Sequence, residues 1–103
     1  MKNTRTHRFN TSKHQKEINT TLIFSKIFAE NVKTELKTTV KGVVKSYISD
    51  DMLIVHIYGV NGIVFNFIRE DIATAIVNGL SSKTIATFIH KRYSDYIKSL
   101  FFQ

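Results

Sequence analysis

The sequence predicts an α+β domain with the element order α-β-β-β-α-α: an N-terminal helix, a three-stranded antiparallel meander and two C-terminal helices. Three observations carry this expectation. Met52–Tyr58 and Ile63–Ile68 alternate with a period of two on either side of Gly59-Val60-Asn61-Gly62, the pattern of two strands joined by a turn. Upstream, apolar residues recur in steps of three and four, the period of a helix buried along one stripe. Downstream the helical period returns and is interrupted once, at Asn78-Gly79, a pair suited to ending a helix.

Residues 1–19 follow neither period and are rich in Thr, Asn, Lys and His. They read as a flexible basic arm ahead of a single domain at 20–103. The first helix is expected near Thr20–Thr38, with Asn19, Thr20 or Thr21 as its cap. Its stripe is Ile23/Phe24, Ile27/Phe28, Val32 and Leu36, and Glu30, Lys33 and Lys37 lie off it. The first strand is expected over Val40–Ile48, with Gly42 marking a bulge. Ser49-Asp50-Asp51 is a polar turn. In the hairpin, Leu53, Val55, Ile57, Ile63, Phe65 and Phe67 share one face and are expected to meet the helices. Asn61-Gly62 is a favoured type I′ centre, because both residues tolerate positive φ. Glu70 and Asp71 suit a helical first turn, with Ile72, Ala75 and Ile76 following. Ser81 or Ser82 caps the last helix, whose stripe is Ile85, Phe88, Ile89, Tyr93, Tyr96 or Ile97, and Leu100. The terminal Leu100-Phe101-Phe102 is expected to pack back onto the sheet or to meet another subunit.

The composition excludes several classes. Cysteine is absent, so disulfides, thiolate metal sites and a cysteine nucleophile are ruled out. Residues 1–20 contain no apolar run, so no signal peptide is read, and no window approaches the roughly 20 apolar residues of a membrane span. A cytoplasmic protein is expected. The Lys/Asn/Ile/Thr-heavy composition is compatible with an AT-rich genome or a mobile element.

No catalytic signature stands out. Only four glycines are present, and none forms a phosphate-cradling loop. His7, His14, His56 and His90 show no ligand spacing. Asp50-Asp51 and Glu70-Asp71 read as turn and first-turn residues. We therefore expect a non-enzymatic protein with no cofactor and no metal.

Charge points to a polyanion. The formal net charge is +7, and it is uneven. Residues 1–20 hold five basic residues against one acid, while residues 50–82 hold four acids against Arg69 alone. Positive ends can attract nucleic acid, and Arg5, Arg8, Lys13, Lys41, Lys45, Lys91 and Arg92 are the candidate contacts for DNA or RNA. Tyr47 and Tyr58, beside Lys41 and Lys45, are candidates for base stacking on an uncovered sheet face. The alternative is a protein-interaction module, an adaptor or inhibitor. The reverse face of the hairpin, with His56, Tyr58, Val64, Asn66 and Ile68, is too apolar for a fully wet surface. With Phe101 and Phe102 it forms the expected interface, and a homodimer is the expected assembly.

The string Gly79-Leu80-Ser81-Ser82-Lys83-Thr84-Ile85-Ala86 resembles the start of the scaffold helix in response-regulator-type helix-turn-helix domains, over eight residues of 103. The resemblance implies a second tight turn and a recognition helix carrying Lys91, Arg92 and Lys98 toward a groove or backbone. A plain helix–glycine–helix corner is the other reading of the same string.

Overall fold

The computed structural model describes residues 23–101. The arm at 1–19, with Arg5, Arg8 and Lys13, lies outside them, as does Phe102. The element order is the expected one. Helix α1 runs through residues 23–37. Strands β1 (Val43–Ser49), β2 (Met52–Tyr58) and β3 (Val64–Arg69) follow, then helices α2 (Ile72–Val77) and α3 (Ser82–Phe101). The sheet is an antiparallel meander in the order β1-β2-β3.

One face of the sheet is dry. Leu53, Val55 and Ile57 of the central strand are fully buried, with Val44 of β1 beside them. They form a single core with Phe28, Ala29, Val32 and Leu36 of α1, Ile72 of α2, and Ile85, Ala86, Ile89 and Tyr93 of α3. Among the described residues the helices therefore cover this face and none lies on the other. Phe65 and Phe67 sit on the covered face as expected. Phe65 meets Tyr93 and Tyr96, and Phe67 meets Phe88 edge-on.

The α1 stripe differs from the sequence expectation. Ser25, Phe28, Ala29, Val32 and Leu36 are buried, whereas Ile23, Phe24 and Ile27 are exposed. At about 100° per residue, the buried set spans one arc, and Ile23 and Ile27 fall on the far side of the helix. Two interleaved sets share the three- and four-residue steps, and only packing selects between them.

The turns divide in the same way. Asn61 and Gly62 both have positive φ, at 62° and 74°, and Ile63 N–H donates to Val60 O at 3.4 Å. This is the type I′ sense expected of Asn-Gly. Gly42 is not a bulge. It precedes β1 at φ 131°, where a Cβ would collide with the Tyr58 carbonyl, so only glycine lets the chain pass.

Helix α2 ends in a Schellman arrangement. Leu80 N–H donates to Ala75 O and Gly79 N–H to Ile76 O, with Gly79 at φ 100°. Ser81 caps α3 by accepting from Thr84 N–H at 3.1 Å. The start of α2 is capped otherwise than expected. Asp71 is left-handed and makes no side-chain cap. Asp51, in the β1–β2 turn, accepts from Ile72 N–H through its carbonyl and from Ala73 N–H through Oδ1.

Helix α3 runs unbroken for 20 residues. The second turn implied by the helix-turn-helix resemblance is absent, so Gly79–Ala86 is the helix–glycine–helix corner. A continuous stripe through Ile85, Ile89 and Tyr93 packs on the core, and this burial offers no place for a break. Phe101 does not pack back, remaining 63% exposed. No helix among the described residues is long and apolar enough to cross a membrane.

Candidate nucleic-acid interface

Register sets the bare face of the sheet. Val43 pairs with Tyr58 and Tyr58 with Val64; Lys45 pairs with His56 and His56 with Asn66; Tyr47 pairs with Ile54 and Ile54 with Ile68. Because side chains alternate across a strand, these nine residues form three rows on one surface. The outer rows are Val43–Tyr58–Val64 and Tyr47–Ile54–Ile68. The middle row, Lys45–His56–Asn66, is polar.

Val43, Tyr47, Tyr58, Val64 and Ile68 are between 39% and 58% exposed, large apolar and aromatic groups with no helix of the described residues over them. A hydrogen-bonded chain crosses the middle. Tyr47 Oη lies 3.0 Å from His56 Nε2, and His56 Nδ1 lies 2.5 Å from Asn66 Oδ1. The His56 ring has Tyr47 and Tyr58 on either side, with centroids 5.6 and 6.3 Å away. Lys45 Nζ stands 5.5 Å from the centre of the Tyr58 ring. An exposed cation–π contact of this kind is worth about 0.5–1 kcal/mol, so Lys45 is readily released to an anion.

The face has polarity along the strands. Asp50 and Asp51 lie in the turn at one end, and Glu70 and Asp71 follow β3 at that same end, tied to it by the Asp51 bonds to α2. Lys41 lies beside the start of β1, at the other end. Among the described residues no three His, Asp or Glu groups converge as a metal site. A separate cleft of about 240 Å³ between the end of α1 and the start of α3 is lined by Glu35, Thr38, Thr39, Lys83, Ala86, Thr87 and His90. Its three threonine hydroxyls already donate to carbonyls of their own segments, which leaves little to orient a ligand.

The structure divides the residues singled out in the sequence. It brings together Lys45, Tyr47, His56, Tyr58, Val64, Asn66 and Ile68. Lys91, Arg92 and Phe101 belong to α3, on the helical side of the sheet, and do not join them. The Arg92 guanidinium lies over the Phe88 ring at 5.6 Å. Val43 and Ile54 belong to the surface but were not singled out. The alternation of Val43, Lys45 and Tyr47, once the strand is started after Gly42, finds the first, and that of Ile54, His56 and Tyr58 finds the second. The chain matches no protein-family model, no curated protein and no solved structure.

Proposed function

We propose that the bare sheet face binds single-stranded nucleic acid, with bases stacked on Tyr47 and Tyr58 and phosphates met by Lys45 and Lys41. The observation that supports this most is the row order, a polar row holding a lysine between two aromatic-bearing rows. Stacking on an exposed aromatic contributes about 1–3 kcal/mol per base and tolerates any sequence. The arm residues Arg5, Arg8 and Lys13 would add salt-dependent affinity of no sequence preference. This is a binding role in the cytoplasm, with no chemistry assigned to it.

A second copy of the chain is the competing occupant. A face-to-face dimer would place Lys45, His56 and Asn66 at its centre, where interfaces are depleted of charge.

Fluorescence anisotropy with labelled single-stranded RNA and DNA octanucleotides at about 50 mM salt tests the reading. Binding is expected, and Tyr47→Ala with Tyr58→Ala should weaken it roughly tenfold or more. No binding to either strand type abandons the reading. Sedimentation showing a dimer that the same double variant dissociates would assign the face to a second copy instead.

A further inference from the structure

Among the described residues the sheet has two edges, β1 and β3, and they are not alike. Lys45 lies within β1 and Lys41 just ahead of it, and a lysine on an edge strand deters a further strand from adding. β3 carries no charge from Val64 to Ile68. Its apolar residues are also incompletely covered. Leu53, Val55 and Ile57 of the central strand are fully buried, whereas Phe65 and Phe67 on the same face are only half-buried. Their aromatic partners on α3, Tyr96 and Phe88, are 37% and 47% exposed. Val64 and Ile68 are open on the other face.

The backbone of β3 fixes how a strand can add to it. Gly59 N–H donates to Ile63 O at 2.8 Å, so the Ile63 carbonyl points at β2. Backbone polar groups alternate in direction along an antiparallel strand. Phe65 and Phe67 therefore turn theirs toward β2, and Val64, Asn66 and Ile68 turn theirs to the free edge. Over the same interval the sequence is symmetric about Asn66. Val-Phe-Asn-Phe-Ile reads aliphatic, aromatic, amide, aromatic, aliphatic in both directions, the self-complementarity that a twofold contact requires.

We infer that β3 pairs antiparallel with β3 of a second copy of this chain, about a twofold axis at Asn66, so that two sheets become one. Asn66 then lies opposite the partner's Asn66, Val64 opposite the partner's Ile68, and Phe65 opposite the partner's Phe67. Outward-facing residues meet outward-facing residues, so the free N–H and C=O groups of the edge are paired. A slip of one residue sets outward groups against inward ones. A slip of two sets Arg69 against the partner's Phe65, or Ile68 against the partner's Gly62 in the turn. Charge decides between the edges, because in a chain of net charge +7 β3 brings no like charges into the contact, whereas β1 brings Lys45. On the covered face, each Phe65–Tyr96 pair comes beside the partner's Phe67–Phe88 pair, and cross-strand aromatic pairs are stabilising. The contact is edge to edge and leaves the bare face of each copy open, so it holds whether or not that face binds nucleic acid.

Sedimentation velocity of the full chain, over a concentration series reaching about 100 µM, tests the pairing. The wild type should be a dimer at the upper end. Asn66→Asp and Asn66→Lys each set like charges against one another at the axis and should weaken the dimer roughly tenfold or more. Asn66 is exposed, so the circular dichroism of both variants should match the wild type. Mixing the two variants should restore a dimer, because residue 66 then meets the opposite charge across the axis. Tyr47→Ala with Tyr58→Ala, on the bare face, should leave the dimer intact. A wild type that is monomeric throughout the series overturns the pairing, as does a dimer that both charged variants leave unchanged. A mixture that stays monomeric overturns the axis at Asn66. A dimer that the two tyrosine substitutions dissociate overturns the edge contact in favour of the face.

Discussion

The Tyr93 hydroxyl occupies the position where a side chain on Gly59 would begin. Gly59 opens the β2–β3 loop and Tyr93 lies halfway from Ile85, the first α3 core residue, to the end of that helix, so this contact joins the hairpin tip to the long helix. Tyr93 is buried, and its ring meets Phe65 edge-on at 5.7 Å.

From that contact follows a coupled pair of substitutions. Gly59→Ala forces a methyl into the hydroxyl and should destabilise the fold by about 1–3 kcal/mol. Tyr93→Phe removes the obstructing oxygen, so Gly59→Ala should cost less in that background. Urea unfolding of the two single variants and the double variant measures the coupling. Strictly additive losses would show that the hydroxyl is not the obstacle.

The cap on α2 reaches it from another turn, and this separates two neighbouring aspartates. Asp51→Ala removes the acceptor for Ala73 N–H and should cost about 1 kcal/mol. Asp51→Asn keeps an oxygen there and should be close to neutral. Asp71 has φ 50° and no capping bond, so Asp71→Ala should destabilise through the backbone alone, and Asp71→Gly should be the more stable of the two. Thermal unfolding of the four variants checks the order. Equal effects of Asp51→Asn and Asp51→Ala would remove the cap.

Gly79 isolates backbone strain from crowding. A Cβ built there meets nothing within 4 Å, yet φ is 100°. Gly79→Ala should therefore cost about 1–2 kcal/mol, all of it conformational. Denaturant midpoints with an unchanged slope would report that loss, and an undiminished midpoint would mean that the corner rearranges freely.

Charge on the two sides of the sheet should count differently in binding. Lys45→Met should reduce the salt dependence of oligonucleotide affinity by about one phosphate contact. Arg92→Met, on the helical side and over Phe88, should leave the slope unchanged. Salt titrations of both variants decide it, and equal slopes would move the contact surface away from the middle row.

What could be read ahead of the structure was what the chain encodes locally. Met52–Tyr58 and Ile63–Ile68 alternate on either side of one turn, so their faces and the turn were legible, and Asn61-Gly62 supplies the two positive φ angles that its chemistry favours. The Asn78-Gly79 stop and the Ser81 cap are equally local. The stripe of α1 was not legible, because Ile23, Phe24 and Ile27 repeat at the same steps as Phe28, Val32 and Leu36, and tertiary packing alone decides which set is buried. Asp51 was read as a turn residue because its partner, Ala73, is far along the chain. The middle row needed register: Tyr47, His56 and Asn66 lie on three strands, and no spacing along the chain brings them together.

Ser46 offers the last prediction, and it concerns the covered face. It pairs with Val55, a fully buried residue, and its Oγ is buried without a hydrogen-bond partner among the described residues. A buried hydroxyl left unpaired costs roughly 1–3 kcal/mol relative to one that is bonded. Ser46→Ala removes the oxygen and leaves the backbone pairing intact, so it should stabilise the fold, by about 1 kcal/mol. Its neighbour Tyr47 points to the bare face, so oligonucleotide affinity should not change. Chemical denaturation and anisotropy on the same preparation read both quantities. A loss of stability would mean that the hydroxyl finds a partner, and a loss of affinity would mean that the two faces of β1 are not independent.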